Sequence, residues 1–372
     1  MKNNQNGMAL IVVLGVISVL VATGLHLSRL TNESVIITGQ RTDQFTAREM
    51  ALSAIHLAMA LLADDAAEND IDSIQENWAD PQILSQMIDQ LGYSRGRITL
   101  EITDELGKIQ VNALLQEYPG HQVNQDQVRL WERLLDLHVS RDRSIDSQNP
   151  EVIINALIDW LDSGDNDAEY GLSGAESDYY AGLSVPYASA NGVFNHPSEL
   201  LNVRGVTEDL LSFLPDPRDP DDPENFEEPA PVTLKDVVTV YGLSDLPAGE
   251  NRYRYPGRIN INTAGIEVIK ALLPRRIEEF AQDLLDYRAQ KSEDDEMFLN
   301  LLDNGWYNRV IVLSAKEKEV FDRMIRYDSN IFKATSTVVL NRAEVRLSAF
   351  ILRERQKKTN QWICRIIQME RN

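Results

Sequence analysis

A long apolar run near the N-terminus constrains this chain more than any other feature. Residues 8–27, MALIVVLGVISVLVATGLHL, contain no Asp, Glu, Lys or Arg. As a helix they extend over about 30 Å, the thickness of the hydrocarbon core of a bilayer, so the run can cross a membrane once. A secretory signal peptide would have a shorter apolar core followed by a small-residue cleavage site, whereas Gly7 precedes this run.

The chain downstream of the apolar run has the pattern of a continuing helix. Residues 28–65 contain no proline, and apolar residues recur at helical spacing between residues 46 and 62. We therefore expect one long helix to leave the membrane and enter a folded domain. Lys2 is the only charged residue before the run, and the positive-inside rule then favours a cytoplasmic N-terminus with the bulk of the chain on the other side.

Composition excludes several classes of function. The chain has 372 residues and a formal net charge of −22, which a nucleic-acid backbone would repel, so we expect no nucleic-acid partner. Its single cysteine, Cys364, cannot form an intramolecular disulfide. The sequence has no nucleophile elbow, P-loop, dinucleotide-binding or zinc-protease motif, and we expect no enzymatic activity.

Residue patterns predict short strands at both ends of the folded part and helices between them. Alternation at 97–103 and 108–111, around a turn that contains Gly107, predicts a β-hairpin. Helical patterns cover 127–138, 151–161, 198–202, 207–213, 266–273, 278–290 and 315–325. Runs rich in Val, Ile, Thr and Phe predict three late strands, at 331–340, 342–353 and 361–369. The simplest arrangement is one sheet that packs on the N-terminal helix, with a helical block inserted into the chain.

A similar phrase occurs twice in the sequence, once at the start of this helical block and once within it. GRININTA at 257–264 echoes GKIQVNA at 107–113, and each is an extended run that reaches an Asn before a helix. We interpret the repeat as a recurring strand-to-helix junction.

An acidic, glycine-punctuated segment after residue 158 is the best candidate for a binding site. Clustered carboxylates with tight turns suit Ca²⁺, which requires six to eight converging oxygen atoms. The spacing matches an EF-hand only in part, and an exposed acidic loop without a metal is the alternative. The candidate ligands are Asp159, Asp162, Asp165, Asp167, Glu176 and Asp178.

A different class of function is suggested by the NINTAG…YRAQ stretch. It is similar to helix-hairpin-helix DNA binders, in which a glycine-rich hairpin presents backbone N–H groups to phosphate. Between the two helices, however, this chain has Leu273-Pro274-Arg275-Arg276-Ile277, without the expected pair of glycines. A membrane-anchored protein for DNA binding or uptake is therefore the alternative function.

Several phrases together resemble a known family. Gly7, followed by Met8 and an apolar helix, resembles the type IV prepilin signal, in which prepilin peptidase cleaves after the glycine and the new N-terminus is methylated. Most pilins have glutamate as the fifth mature residue, whereas this chain has Val12, a departure typical of the K-class minor pseudopilins of type II secretion systems. The phrases ALIDWLDSGDNDAEYGLSGAESDYY, NGVFNHPSELLNVRGV and GRININTA, in this order, resemble the same family.

The resemblance implies an α+β, type IV pilin-like fold that carries a large inserted all-α domain. The implied segments are a leader peptide at 1–7, a transmembrane half-helix at 8–28, pilin-like parts at 29–112 and 331–372, and the insert with an acidic loop and a linker rich in Pro and Asp at 113–330. It also implies Ca²⁺ bound in the acidic region, cleavage after Gly7 and N-methylation of Met8.

The role implied by the resemblance is that of a minor pseudopilin at the tip of the pseudopilus, acting in its initiation or capping and in protein export across the outer membrane. The implied location is the bacterial inner membrane, with a single pass and the bulk of the chain in the periplasm. The implied partners are minor pseudopilins of the I and J classes, other pseudopilus and inner-membrane platform components, and prepilin peptidase.

Overall fold

The N-terminal helix is continuous from the apolar run into the folded body, as predicted. The computed structural model describes residues 5–141, 149–164, 170–171, 173–211, 233–245, 252–292 and 297–371. Helix α1 (Gln5–Glu68) has 64 residues and is therefore about 96 Å long. Its side chains are almost all exposed from Leu10 to residue 46, and the face that starts at Ala47 is buried. The apolar half of α1 thus projects away from the rest of the molecule.

The other helices are short. They are α2 (Pro81–Asp89), α3 (Gln125–Arg141), α4 (Pro150–Leu161), α5 (Ser177–Ala181), α6 (Glu208–Leu211), α7 (Leu234–Val237), α8 (Ile266–Leu272), α9 (Ala281–Ala289) and α10 (Ala315–Met324). Two segments predicted as helix are tighter 3₁₀ turns: Pro197–Asn202, and Arg275–Phe280 ahead of α9.

The strands divide into one large sheet and several two-residue pairs. They are β1 (Arg97–Asp104), β2 (Ile109–Gln110), β3 (Val238–Thr239), β4 (Ser244–Asp245), β5 (Tyr253–Arg254), β6 (Ile259–Asn260), β7 (Ile325–Arg326), β8 (Ile331–Leu340), β9 (Ala343–Arg355) and β10 (Trp362–Arg371). Strands β1, β8, β9 and β10 form an antiparallel four-stranded sheet in that order.

Small side chains let α1 approach this sheet closely. Ala47, Ala51, Ala54 and Ala58 are fully buried, at spacings of three or four residues that place them on one face of the helix. The same core contains Leu100 and Ile102 of β1, Phe332 of β8 and Ile351 of β9. Burial of this apolar surface between helix and sheet is what holds the pilin-like half together.

The predicted hairpin between residues 97–103 and 108–111 is wrong. Strand β1 pairs with β8 along its whole length, and β2 instead pairs in parallel with β3. The Asp104 side chain accepts a hydrogen bond from the backbone N–H of Leu106, which starts a 3₁₀ turn and directs the chain out of the sheet. Local alternation indicated the strands correctly, but it carries no information about which strand is the partner.

The repeated phrase marks two equivalent junctions in the insert. Strand β2 pairs in parallel with β3, and β6 pairs in parallel with β7. Asn112, two residues after β2, donates to the carbonyl oxygen of Val240, the residue that follows β3. Asn262, two residues after β6, donates to the carbonyl oxygen of Tyr327, the residue that follows β7. Both asparagines are fully buried, and each ties a helix start to its neighbouring strand.

The insert is fastened to the sheet on the face opposite α1. The Tyr241 ring packs on Phe350 of β9 with 4.4 Å between ring centroids, and the Tyr241 hydroxyl donates to Gln368 of β10. His196 Nε2 lies 2.8 Å from Glu370 Oε1. A register shift after Ile366 changes the alternation of β10, which brings Gln368 and Glu370 to the insert.

Candidate functional site

The apolar end of α1 is a candidate membrane anchor. Among the described residues it is the one helix long and apolar enough to cross a bilayer, with a mean hydropathy of 2.5 over an 18-residue window that is entirely exposed. Val12 lies in this stretch and is exposed. Exposure of so much apolar surface requires a lipid environment or packing against other helices.

At the start of the acidic segment, Asp159 is held inside the insert. It lies in the last turn of α4 and is only 1% exposed. One carboxylate oxygen accepts the backbone N–H of Tyr170 at 2.8 Å, and the other accepts the backbone N–H of Ala175 at 2.7 Å. Gly174 allows this approach, because a Cβ at that position would lie 1.8 Å from an Asp159 oxygen. In this geometry Asp159 fixes the course of the chain at residues 170–175.

The other described acids of this segment occupy separate positions. Asp162 lies directly after α4, with one oxygen 3.6 Å from Nδ1 of His121. Glu176 is the N-cap residue of α5 and is buried, whereas Asp178 is exposed in the first turn of that helix. Asp165 and Asp167 lie outside the described residues.

The predicted ligands therefore stay a prediction. Among the residues that the structure describes, no three carboxylates of this segment converge closely enough to share an ion. Asp159 already uses both oxygens for backbone N–H groups, which suits a supporting role better than direct ligation.

Aromatic side chains pack together around the two helices, α4 and α5, that flank this acidic segment. Trp160 of α4 stacks on Phe194 and meets Tyr180 edge-on, with ring centroids 6.1 and 5.3 Å apart. Tyr180 in turn stacks on Tyr187. Such pairs contribute about 0.5–1.5 kcal/mol each beyond area burial, so they stabilise the packing of α5 on α4.

A polar joint connects α1, the sheet and the insert. Arg353 of β9 is 5% exposed, and one of its terminal nitrogens, Nη2, lies 2.6 Å from both carboxylate oxygens of Asp72. Its other terminal nitrogen donates to Asp65 at 3.0 Å and to the last turns of α1 through the Leu62 carbonyl. Sequence reasoning missed this pair, since Asp72 and Arg353 lie in unremarkable local patterns and meet only in the folded chain.

Asp104 at the end of β1 is the hub on the insert side of this joint. One of its oxygens accepts hydrogen bonds from Ser329, Asn260 and Thr263 at 2.6, 2.9 and 2.7 Å. Asn260 and Thr263 belong to the repeated phrase, so the junction at β6 is what bonds the insert to the sheet. Asn260 also donates to the backbone carbonyl of Asp72.

Burial perturbs the carboxylates of the joint. Loss of solvent raises the pKa of Asp72 to about 6, against the opposing effect of Arg353, and raises the pKa of Asp104 to about 6. Burial and then the negative charge of Asp65 raise the pKa of Glu76 to about 8. One buried guanidinium thus faces several carboxylates whose charge it does not balance.

The helix-hairpin-helix-like turn uses its arginines within the fold. Arg275 pairs with Asp136 of α3 at 2.5 Å, and Arg276 pairs with Glu317 of α10 at 2.5 Å. Both arginines are thereby engaged with carboxylates.

The fold combines a long helix with an exposed apolar end, an antiparallel sheet packed on the other end of that helix, and a helical insert. This combination defines a pilin-like protein with an inserted domain. Residues 107–215 match the family model described as "Type II secretion system (T2SS), protein K". The insert of this chain is therefore similar to type II secretion protein K.

Curated relatives agree with this assignment. The chain is 29% identical over 219 residues to type II secretion system protein K of Pectobacterium carotovorum subsp. carotovorum, and 28% identical over 223 residues to that of Pseudomonas aeruginosa. These alignments cover 58% of this chain and 62% of each relative, so the chain matches about three fifths of their length.

A solved structure shares the fold. One chain in the crystal structure of the GspK-GspI-GspJ complex from enterotoxigenic Escherichia coli is 18% identical, with a TM-score of 0.58. The match covers 90% of this chain and 99% of that chain, so it includes both the pilin-like half and the insert.

Replacing Asp159 with alanine tests its supporting role without metal. We expect D159A to lower the free energy of unfolding by about 2–4 kcal/mol in EDTA, because two buried N–H groups lose their acceptor. D178A removes an exposed carboxylate from the same segment and should cost less than about 1 kcal/mol. Denaturant unfolding of the full chain in detergent measures both. Equal effects of the two variants would contradict the assignment.

Proposed function

We propose that this chain is a minor pseudopilin of a type II secretion system that acts at the tip of the pseudopilus. The observation that carries the proposal is the match of the insert to protein K, within a fold shared along nearly the whole chain. The role is structural: the chain initiates or caps the filament that acts in protein export across the outer membrane. It is anchored in the bacterial inner membrane by α1, with the remaining bulk in the periplasm.

Position at the tip is supported by where the insert lies. Loop 69–76, which follows the end of α1, is bonded to the insert, since Gln75 donates to the backbone carbonyls of Arg288 and Asn300. The insert therefore stands beyond the end of α1 that is remote from the membrane. A further subunit stacked above this one would meet the insert.

The absence of a charged side chain at position 12, which is Val12, supports the same position. In a stacked filament the usual glutamate is thought to neutralise the N-terminal amine of a neighbouring subunit, and an unpaired carboxylate in an apolar environment is costly. A subunit at the tip has no neighbour above it whose amine needs pairing. An apolar residue at position 12 is then favourable.

The proposed partners are pseudopilins of the I and J classes, other pseudopilus and inner-membrane platform components, and prepilin peptidase. The related Escherichia coli protein occurs in a complex with GspI and GspJ, and the likeness in fold extends over the whole of that chain.

Processing at the N-terminus gives the first test. In cells that contain prepilin peptidase, we expect intact-mass measurement to show a chain that starts at Met8 and carries one additional methyl group. G7D should leave the chain uncut, whereas the same change further along the helix, G15D, leaves the Gly7 cleavage position intact. An uncut wild-type chain in peptidase-containing cells would contradict the assignment.

Co-purification gives the second test. We expect the full chain, extracted in detergent, to co-purify with the I-class and J-class pseudopilins of the same system when the three are co-expressed. A major pseudopilin and an unrelated single-span protein serve as controls for general association of apolar helices. Recovery of the unrelated protein in equal amount, or failure to recover either minor pseudopilin, would count against the role.

We further propose that the acidic segment binds Ca²⁺ through a subset of Asp159, Asp162, Asp165, Asp167, Glu176 and Asp178. The support is the density of carboxylates, the aromatic packing of α5 on α4, and the hydrogen bonds by which Asp159 fixes Tyr170 and Ala175. Bound Ca²⁺ would neutralise these carboxylates and hold the loop.

Thermal unfolding with and without Ca²⁺ tests this site. At a free concentration of 100 times the dissociation constant, one site stabilises the fold by about 2.7 kcal/mol, which raises Tm relative to EDTA. The double change D165N and D167N should remove that rise, whereas E101Q, which neutralises an exposed carboxylate on β1, should keep it. An equal rise in the double variant, or none in the wild type, would refute the assignment.

A further inference from the structure

The loop between α1 and α2 carries a cluster of carboxylates at the joint of the two halves of the molecule. Oxygen atoms of Asp65, Asp72 and Glu76 all lie within 4.8 Å of one another. Asp65 belongs to the last turn of α1, and Asp72 and Glu76 to the loop. Three carboxylates at this distance repel one another strongly unless a cation or protons compensate them.

Arg353 is the cation in this cluster, and it supplies one positive charge. It contacts Asp72 and Asp65, and its guanidinium also lies over the ring of Phe332, 4.8 Å from the centroid. Glu76 has neutral partners: it accepts hydrogen bonds from the indole N–H of Trp78 at 2.6 Å and from the Ser73 hydroxyl at 3.4 Å.

Within the described part of the chain, the other charged groups that act on the cluster are acidic. Glu68 of α1 adds a negative charge near Asp65. Asp104 of β1 is close to Asp72, and the insert and the start of β8 contribute the neutral donors Asn260, Thr263 and Ser329. With every carboxylate ionised, Asp65, Asp72 and Glu76 exceed the charge of Arg353 by two units. Retention of a proton by one of these carboxylates reduces this excess of negative charge.

We propose that loop 69–80 is a proton-linked latch: the joint closes with a proton held among Asp65, Asp72 and Glu76, and loss of that proton loosens the loop. Glu76 is the proton carrier, because its partners are neutral whereas Asp65 and Asp72 are paired with Arg353. The loop contacts the insert through Gln75 and through the Asp72 backbone, so its loosening weakens the hold of the insert on α1.

The direction of the pH effect follows from the raised pKa of Glu76. Its ordinary value is 4.5 and its value in the closed joint is about 8, so the closed state binds the proton more tightly than an open, solvated loop. The closed state is therefore most favoured at low pH, and its advantage is lost as the pH rises towards 8. For one proton, the opening constant should rise about tenfold per pH unit in this window and level off above it.

Hydrogen exchange of the full chain in detergent, measured between pH 6.5 and 9, tests the latch. Amide exchange of residues 69–80 is divided by the intrinsic rate, which itself rises with pH, to give the opening constant. We expect about a tenfold rise per unit up to pH 8 in the wild type. E76Q keeps the size of the side chain and an acceptor for Trp78, and should show no such rise and slower exchange at pH 8.5.

The matched control is E101Q, which removes an exposed carboxylate from β1 and should keep the wild-type slope. An equal slope in E76Q and wild type would overturn the proposal. If E76Q fails to fold, the wild-type series decides alone, because a pH-independent opening constant for residues 69–80 between pH 6.5 and 8 would also overturn it. Neither result depends on calcium or on the partner subunits, so the latch stands or falls separately from the proposed function.

Discussion

The pairing of Arg353 with Asp72 is the interaction on which the arrangement of the two halves depends. It joins the loop that follows α1 to the second half of β9, and Ser329, just before β8, and Asn260 of the insert also bond to Asp72. Removing the carboxylate partner of a buried guanidinium strongly destabilises the fold. Apolar packing between α1 and the sheet, in contrast, tolerates modest changes of side chain. The polar joint therefore sets the orientation of the two halves relative to each other. The alanine-lined face of α1 supplies most of the free energy that keeps the pilin-like half folded.

Two kinds of attachment hold the insert, and they differ in character. On one side it is bonded through Asp104 to Asn260 and Thr263, all of them buried or half-buried. On the other side Tyr241 packs on Phe350 and His196 meets Glu370 at a more exposed position. Two separated contacts fix the direction of a rigid body far better than one. The insert is therefore held in one direction relative to α1 and the sheet.

The candidate site includes features that the sequence predicts and features that it does not. The acidic segment was visible because its carboxylates are close in sequence, but the part that Asp159 plays was not. Asp159 differs from its neighbours only because α4 places it against residues 170–175, where Gly174 leaves room. The cluster of Asp65, Asp72 and Glu76 was missed for the same kind of reason, since its raised pKa values come from burial and from the mutual repulsion of carboxylates that the fold brings together.

By itself, the sequence determined the elements that depend on neighbouring residues: the apolar anchor, the continuous α1, most helices of the insert and the three late strands. Each rests on a periodicity of side chains within a few turns or a few residues. Only the tertiary structure decided that β1 pairs with β8, that β2 leaves the sheet for β3, and that Arg353 reaches Asp72. These contacts join residues more than a hundred positions apart, and their energies depend on burial, which no local pattern specifies.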